Sequence, residues 1–202
     1  MKRVVFPLAL LALSATGAVQ AQPLPESLLH CDSRFFSELY AQQNTFIHAA
    51  PLATDNQRHA WFVPPKDGGE IVWFARPVRA QNLTLSGYFM RHNDLEEMGK
   101  YYFWGLVIDD SPEAVMAAVP DVNWRKADDE YFTNPMIKRP GDHAWQVNAG
   151  AASGIAPAKG SVEKLAILSV IDGKTQLLCS VQGSVTDDVL LSLRPDLAGG
   201  KK

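Results

Sequence analysis

Apolar residues recur every three or four positions between Ser27 and Gln43, a spacing that predicts one amphipathic helix. Ser27 can cap its start, although Asp32 or Ser33 could cap a shorter helix. The apolar residues on its buried side are Leu28, Cys31, Phe35, Phe36, Leu39 and Tyr40. Cys31 lies in line with this stripe. We therefore expect the cysteine to be buried where the helix packs against the rest of the fold.

The next apolar runs are short and are bounded by turn residues, as is typical of β-strands. His59–Val63 and Ile71–Ala75 flank a proline- and glycine-rich turn, and we expect them to pair as a hairpin. Leu83–Arg91 alternates between its two faces, and Tyr101–Ile108 follows it after the polar segment 92–99. This alternation predicts two further neighbouring strands.

The clearest hairpin lies near the end of the chain. Leu165–Ile171 and Thr175–Gln182 are joined through Asp172 and Gly173, the dipeptide that two-residue hairpin turns favour. Alternation places Cys179 on the buried face of the second strand. Residues 121–161 are harder to interpret, and we predict only a weak edge strand at Tyr131–Ile137 and a short strand at His143–Val147.

Two short helices share the same signals at both ends. Ser111 and Thr186 are each followed by acidic residues, a combination that predicts a capped helix N-terminus. Pro120 and Pro195 end these helices, and each helix follows a predicted strand hairpin. The sequence therefore predicts an α+β fold with two ββα repeats, one antiparallel sheet and helices packed on one face. Chance recurrence of cap, helix and proline is the alternative to a duplication.

The N-terminus has the pattern of a secretory signal. Lys2 and Arg3 precede an apolar run, Val4–Leu13, and small residues lead to Ala21. We expect cleavage after Ala21, which makes 1–21 the signal peptide. A retained N-terminal anchor is the alternative, but the apolar run is too short to cross a bilayer. The remainder is predicted to be a single domain, 22–197, with a disordered tail at 198–202.

Charge and cysteine usage narrow the setting further. The formal net charge is −3 and the basic residues are scattered, which argues against nucleic acid or an anionic membrane as the partner. The chain has two cysteines, Cys31 and Cys179, and an exported chain meets oxidising conditions. We predict one disulfide that ties the N-terminal helix to the sheet, in a periplasmic or secreted protein. A redox-active or metal-binding thiol pair is the alternative, but no C-x-x-C motif supports it.

Two groups of acidic residues are candidates for chemistry. His92, Asp94 and Glu96, in the loop 92–97, have the side-chain types that bind metals, but their spacing fixes no geometry. Asp109 and Asp110 stand together at a strand end, where paired carboxylates work as acid and base or simply complement a helix dipole. One functional alternative is therefore a small hydrolase or metal-dependent enzyme that uses this loop with Asp109 or Asp110.

Large aromatic residues suggest a different function. The predicted strands carry more rings than one sheet face needs, and the candidates for exposure are Trp61, Trp73, Tyr88, Tyr102 and Trp104. Exposed aromatic patches mark interfaces, whereas a two-sided core would bury the same rings. We expect an exported, non-enzymatic binding protein without a cofactor, acting on another envelope protein through this sheet surface. A carrier of a small apolar ligand is the further alternative, and it requires an enclosed pocket.

Overall fold

The structure, a computed structural model, describes residues 23–152 and 155–200. The predicted signal peptide, 1–21, lies outside the described residues, as do the last two residues of the predicted tail. Ala198 belongs to a described 3-10 helix, Pro195–Gly200.

The described part of the chain mixes helices and strands and consists mostly of strands. Its α-helices are α1 (Leu24–Leu28), α2 (Arg34–Ala41), α3 (Gln43–Phe46), α4 (Pro112–Ala118) and α5 (Asp187–Leu193). Its 3-10 helices are Glu96–Met98 and Pro195–Gly200. Its strands are β1 (Leu52–Thr54), β2 (Ala60–Phe62), β3 (Ile71–Ala80), β4 (Leu83–Asp94), β5 (Lys100–Ile108), β6 (Arg125–Ala127), β7 (Glu130–Lys138), β8 (Gln146–Val147), β9 (Val162–Ile171) and β10 (Lys174–Gly183).

One antiparallel sheet organises these elements, which confirms the α+β class. Its strand order is β3-β4-β5-β10-β9-β7-β6, with β8 paired to β7, while β1 and β2 form a separate ribbon. β5 and β10 pair at the centre, where Trp104 lies opposite Cys179. The sequence strands Leu83–Arg91, Tyr101–Ile108, Leu165–Ile171 and Thr175–Gln182 all appear in this sheet, somewhat extended.

The predicted hairpin between His59–Val63 and Ile71–Ala75 is wrong. β2 pairs with β1, and β3 pairs with β4. The chain does turn between β2 and β3, but these two strands do not pair. β3 instead forms a hairpin with β4 through the two-residue turn Gln81-Asn82. Both residues have positive φ, 51° and 64°, the conformation that such turns require.

The predicted single helix Ser27–Gln43 is wrong in its boundaries, because it is divided into α1 and α2. The shorter alternative agrees with α2, whose N-cap is Ser33. Cys31 has a φ of 49°, a left-handed conformation that no α-helix continues through. Asp32 then accepts a hydrogen bond from the Arg34 N–H at 3.1 Å, just as α2 begins. The apolar stripe survives the break, since Leu28, Cys31, Phe35 and Leu39 are all buried.

The disulfide between Cys31 and Cys179 is confirmed. It joins the segment between α1 and α2 to the central strand β10, and its two Cα atoms are 5.2 Å apart. Both cysteines are essentially inaccessible, at 1% and 0% exposure. The crosslink therefore lies inside the core and not on its surface.

Two apolar clusters lie at the sheet. The principal core contains Trp104 and Leu106 of β5 together with residues of α1, α2, α4 and α5. A smaller cluster consists of Phe89, Val107 and Leu178, with Ile71 and Phe103 packed against it. Because Leu106 and Val107 are neighbours on one strand, the two clusters lie on opposite faces of the sheet. No helix in the described residues is both long and apolar enough to cross a membrane.

Candidate functional site

The five aromatic residues predicted to form a binding surface lie in different environments. Tyr88 and Trp104 are 1% and 0% exposed and belong to the principal core. Trp61 and Tyr102 are half-buried and pack against that core. Trp73 is 56% exposed. The structure therefore does not bring the five side chains together on one surface, and of these five Trp73 alone presents a large area to solvent.

Trp73 lies on the second face of the sheet. It pairs with Gly87 of β4, and its Cε3 atom lies 3.4 Å from where a Cβ of Gly87 would be. The indole thus lies across the glycine, close to the smaller apolar cluster. A larger residue at position 87 would push this ring away.

The surroundings of Trp73 form an apolar surface with a basic rim. We call the residues Ile71, Trp73, Phe89 and Phe103 the Trp73 patch. Ile71 and Phe103 are half-buried, and they pack over Phe89, which is 4% exposed. The guanidinium of Arg91 lies over the rings of Phe89 and Phe103, at 5.3 and 5.5 Å. Its Nη1 atom also lies 3.7 Å from Glu70 Oε2, so an ion pair accompanies these cation–π contacts at the rim.

A groove of about 770 Å³ runs beside the outer strand β3, and we call it the β3 groove. Its apolar lining residues are Pro51, Val63, Pro64, Pro65, Ile71, Val72 and Trp73. Val63 is 39% exposed, so the wall facing Trp73 is accessible as well. The groove and the Trp73 patch meet at Ile71 and Trp73.

Main-chain groups of β3 point into this groove. Met90 donates its N–H to the carbonyl of Glu70 at 2.8 Å. Hydrogen-bonded pairs alternate in an antiparallel ladder, so Glu70 and Val72 bond to β4, while the N–H and C=O groups of Ile71 and Trp73 face outward. A row of outward-facing donors and acceptors on an edge strand is a template for another strand.

A second concavity, of about 440 Å³, lies on the opposite side of the loop that follows β2, and we call it the Arg194 cleft. Arg194 is 4% exposed. Its Nε donates to Asp196 Oδ1 at 2.8 Å and its Nη2 to Oδ2 at 2.6 Å. Its Cζ lies 4.8 Å from the centre of the Trp104 ring. Burial acts to lower the pKa of Arg194, but the adjacent Asp196 carboxylate outweighs it and the pKa is raised.

Two polar atoms close to this arginine have no hydrogen-bond partner among the described residues. They are the Tyr88 hydroxyl and the Trp104 Nε1. Buried polar groups of this kind are usually paired, and leaving one unpaired costs roughly 1–3 kcal/mol. Burial also raises the pKa of Tyr88, so its hydroxyl stays protonated. The buried side chains next to Arg194 therefore include two polar groups, the Tyr88 hydroxyl and the Trp104 Nε1–H.

The acidic groups proposed for enzyme chemistry are not brought together. His92 stacks on Tyr102, with ring centroids 6.1 Å apart, near the start of β5. Asp109 and Asp110 follow the other end of that strand. The side chain of Asp94 accepts a hydrogen bond from the Glu96 N–H at 3.1 Å. Within 23–152 and 155–200, no three His, Cys, Asp or Glu side chains are placed to hold a metal ion.

Asp109 and Asp110 each have a structural partner. Lys174 Nζ donates to Asp109 Oδ1 at 2.8 Å, and this bond is the main cause of the lowered pKa of Asp109. Asp110 Oδ2 accepts from the Thr84 N–H at 2.5 Å. These bonds join the end of β5 to β4 and β10. The two carboxylates therefore help to hold together the end of the sheet that precedes α4.

A third concavity, of about 310 Å³, bears on the proposal of an apolar ligand carrier. It lies between α1, the β3–β4 turn and the end of α4, and its polar lining residues are Glu26, His30, Gln81, Asp121 and Asn134. Burial is the largest cause of the lowered pKa of His30. The lining mixes polar and apolar residues, unlike the enclosed apolar pocket that a carrier of apolar ligands requires.

Reasoning from the sequence missed Arg91 and Arg194. Arg194 follows the apolar side of α5 and precedes Asp196 by two residues, a local pairing visible in the sequence. Its burial against Trp104 depends on a residue ninety positions earlier, and no local pattern indicates that contact. In comparisons with known proteins, no family model, no curated protein and no solved structure matches this chain.

Proposed function

We propose that this chain is an exported, non-enzymatic binding protein that contacts another envelope protein through the Trp73 patch. The observation that carries the proposal is the 56% exposure of Trp73 on an apolar surface. An exposed tryptophan where an apolar patch meets a groove, with an arginine at the rim, has the composition of interface hot spots. Tyr88 and Trp104 support this surface from the core and do not contact the partner.

Export is supported by two independent features. The first is the charged, apolar and small-residue pattern of 1–21. The second is the disulfide between Cys31 and Cys179, a bond that persists in oxidising compartments. We propose cleavage after Ala21 and a periplasmic or secreted location on these grounds.

The partner contributes an extended segment that adds to β3. The outward-facing main-chain groups of Ile71 and Trp73 provide its hydrogen bonds, and the apolar walls of the β3 groove receive alternate side chains. Farther along β3, the same edge is hydrogen-bonded within the chain, because Ala75 donates its N–H to the carbonyl of Ala49 at 2.8 Å. The free part of the edge is thus the stretch beside Trp73.

The architecture supports a free second face. We propose that the fold arose from two ββα units, β4-β5-α4 and β9-β10-α5. In the order β3-β4-β5-β10-β9-β7, the second strands of the two units pair at the centre, and their first strands lie on either side. Ser111 and Thr186 cap α4 and α5 in the same way, each accepting from the N–H three residues on. In this proposal the helices pack on one face of the sheet, and the Trp73 patch belongs to the other face.

Site-specific photo-crosslinking tests the proposed surface. Replacing Trp73 by p-benzoylphenylalanine places a photo-reactive ring in the patch, and we expect it to crosslink one partner in intact cells. Replacing Met98 in the same way is the matched control, since Met98 is 65% exposed on the 3-10 helix Glu96–Met98. Mass spectrometry of the adduct then locates the partner's segment.

A substitution completes the experiment. Trp73→Ala is expected to reduce retention of that partner by more than tenfold, as for a central interface tryptophan. Its melting temperature should stay within a few degrees of the wild type, because surface substitutions usually change stability little. Equal crosslinking from positions 73 and 98, or full retention by Trp73→Ala, would refute the proposal.

A further inference from the structure

The guanidinium of Arg194 is held so that one edge remains free. Of its five N–H groups, Asp196 accepts one from Nε and one from Nη2. Of the other three, one on Nη1 and one on Nη2 form the edge at the end of the side chain, and the second N–H of Nη1 points toward Cδ. Within the described residues, no hydrogen bond uses Nη1. Arg194 lines the cleft, so this edge is the part of the side chain that a ligand meets.

Packing fixes the orientation of this edge. The Cζ of Arg194 lies over the Trp104 ring, 4.8 Å from its centre, and over the Phe36 ring, 5.8 Å from its centre. With two hydrogen bonds to Asp196 and two aromatic rings in contact, the arginine has little freedom to turn. A donor fork fixed in advance loses little conformational entropy when it binds a planar anion.

The charges around the cleft favour a single anionic group. Arg194 is paired with Asp196, and at the rim Arg91 lies 3.7 Å from Glu70. Each arginine thus has one carboxylate partner, and His92 is the remaining ionisable side chain of the cleft wall. One guanidinium edge matches one carboxylate in a two-bond geometry. A phosphate dianion would need further cations, which this cleft does not supply.

The walls of the cleft are apolar and aromatic. Met90, Tyr102 and Leu197 line it together with the proline pair that follows β2. The His92 ring stacks on Tyr102 at an interplanar angle of 16°, so an aromatic pair lines this side of the cleft. The volume of about 440 Å³ is in the range of small-molecule sites, which are mostly apolar with a few polar anchors.

From these features we infer that the Arg194 cleft binds a small organic acid, whose carboxylate lies on the free edge of Arg194 and whose apolar or aromatic body lies against Tyr102 and His92. This site adjoins the proposed protein-binding surface, since Arg91 borders both, but the two have different anchors. The cleft and the β3 groove share Pro64, Pro65, Gly69 and Glu70, but Trp73 lines the groove and Arg194 lines the cleft.

Nuclear magnetic resonance titration with a matched pair of probes tests the inference. The probes are 4-phenylbutyrate, which has a carboxylate and an aromatic body, and 4-phenylbutan-1-ol, which lacks the charge. We expect the acid to shift the Arg194 Nε–H and Trp104 Nε1–H signals saturably. The alcohol should bind at least about tenfold more weakly, because a hydrogen bond to a charged group contributes roughly 1.5–3 kcal/mol.

Variants separate the site from the fold. Arg194→Lys keeps the charge but loses the planar fork, and we expect it to reduce the preference for the acid several-fold. Because Arg194 is buried and its replacement is liable to unfold the chain, His92→Ala at the exposed wall is the second variant. It should weaken the acid several-fold with the spectrum otherwise unchanged. Trp73→Ala, in the β3 groove, should bind the acid as the wild type does.

Three outcomes would overturn the inference. They are equal binding of acid and alcohol, shifts that leave the Arg194 and Trp104 signals unchanged, and unaltered acid binding by His92→Ala in a folded protein. None of them bears on crosslinking from position 73, so failure of this site and failure of the proposed partner surface are distinguishable.

Discussion

At the scale of single residues, Asp32 connects the N-terminal segment to the sheet. Its carboxylate accepts from Arg34 Nη2 at 2.7 Å and lies 3.5 Å from Lys164 Nζ. Lys164 is 6% exposed and also donates to the carbonyl of His30 at 2.7 Å. Burial acts to raise the pKa of Asp32, but the bonds from Arg34 and the charge of Lys164 outweigh it, and the pKa is lowered.

This lowered pKa predicts an acid-sensitive contribution to stability. A carboxyl whose pKa is lower in the folded than in the unfolded chain stabilises the fold above its unfolded value, 3.8, and this contribution is lost as the pH falls through the folded value. We expect Asp32→Asn to be less stable than the wild type at pH 7, and the difference to shrink below about pH 4. Urea denaturation across this pH range measures it.

Asp172→Asn is the matched control, since Asp172 lies on the exposed turn between β9 and β10. It removes one carboxylate without removing a contact of Lys164. A constant stability difference between wild type and Asp32→Asn at every pH would contradict the assignment.

Strand alternation predicted which side chains share a face of the sheet, but not which face meets the principal core. Tyr88 and Trp104 were candidates for exposure together with Trp73, because all three lie on aromatic strands. Their fates differ because Tyr88 and Trp104 face the principal core, whereas Trp73 faces the other side. That choice depends on where the helices pack, a long-range property that alternation does not contain.

At the scale of elements, the turn between β3 and β4 determines how the outer part of the sheet is built. Gln81 and Asn82 both have positive φ, and Gln81 Nε2 donates to the carbonyl of Ala118 at 2.5 Å. The turn is therefore tied to the end of α4. Asparagine tolerates this conformation better than most residues, but the pair Gln-Asn is a weaker turn signal than Asn-Gly. The stronger-looking turn at Pro64–Gly69 attracted the hairpin prediction instead.

Substitution at Asn82 tests the importance of this turn. Asn82→Val places a β-branched residue at a φ of 64° and is expected to destabilise the fold by about 1–2 kcal/mol. Asn82→Gly relieves the same constraint and should be at least as stable as the wild type. Chemical denaturation of the two variants gives the comparison. Equal stability of the valine and glycine variants would show that the turn conformation contributes nothing.

The helix prediction failed at one position for an identifiable reason. The apolar spacing between Ser27 and Gln43 is continuous, so nothing in the periodicity marks a break. Cys31 leaves the helical conformation in a segment tied to β10 by the disulfide and to β9 by Lys164. Tertiary bonds of this kind override local helix propensity.

At the scale of the whole molecule, the class of fold and the crosslink were predictable, but the strand order was not. Each of the two predicted pairs at Leu83–Ile108 and Leu165–Gln182 is local, and both occur. The pairing of β5 with β10 joins these local units across a long sequence separation. Gly105 permits it, since a Cβ there would collide with the carbonyl oxygen of Leu177. A glycine on a strand suggests a close approach, but it does not identify the neighbour.

The two candidate sites also differ in whether the sequence could predict them. Trp73 could be named from the sequence because it lies on a strand with another large ring beside it. The Arg194 cleft could not, because the loop after β2, the β4–β5 hairpin and the segment after α5 all contribute to it. A site assembled from three distant segments leaves no spacing pattern for a single sequence to reveal.

The disulfide is the constraint that acts on the whole chain, and its removal is the last prediction. It closes a loop across a sequence separation of 148 residues. On the chain-entropy account, a loop of this size stabilises the fold by about 4–5 kcal/mol, chiefly by restricting the unfolded chain. Cys31→Ala/Cys179→Ala should lose this amount plus the packing of two buried sulfur atoms. Alanine is preferable to serine here, because a buried hydroxyl without a partner adds its own cost.

Urea denaturation of the oxidised wild type and the double variant measures the loss. The reduced wild type is the informative control: it keeps both sulfur atoms but lacks the bond, so its stability should lie between the other two. Since both cysteines are at most 1% exposed, reduction should need prior unfolding, and a reductant should act on the native protein only at the rate of opening. An oxidised wild type no more stable than the double variant would mean that the core, and not the crosslink, holds α1 and α2 against β10.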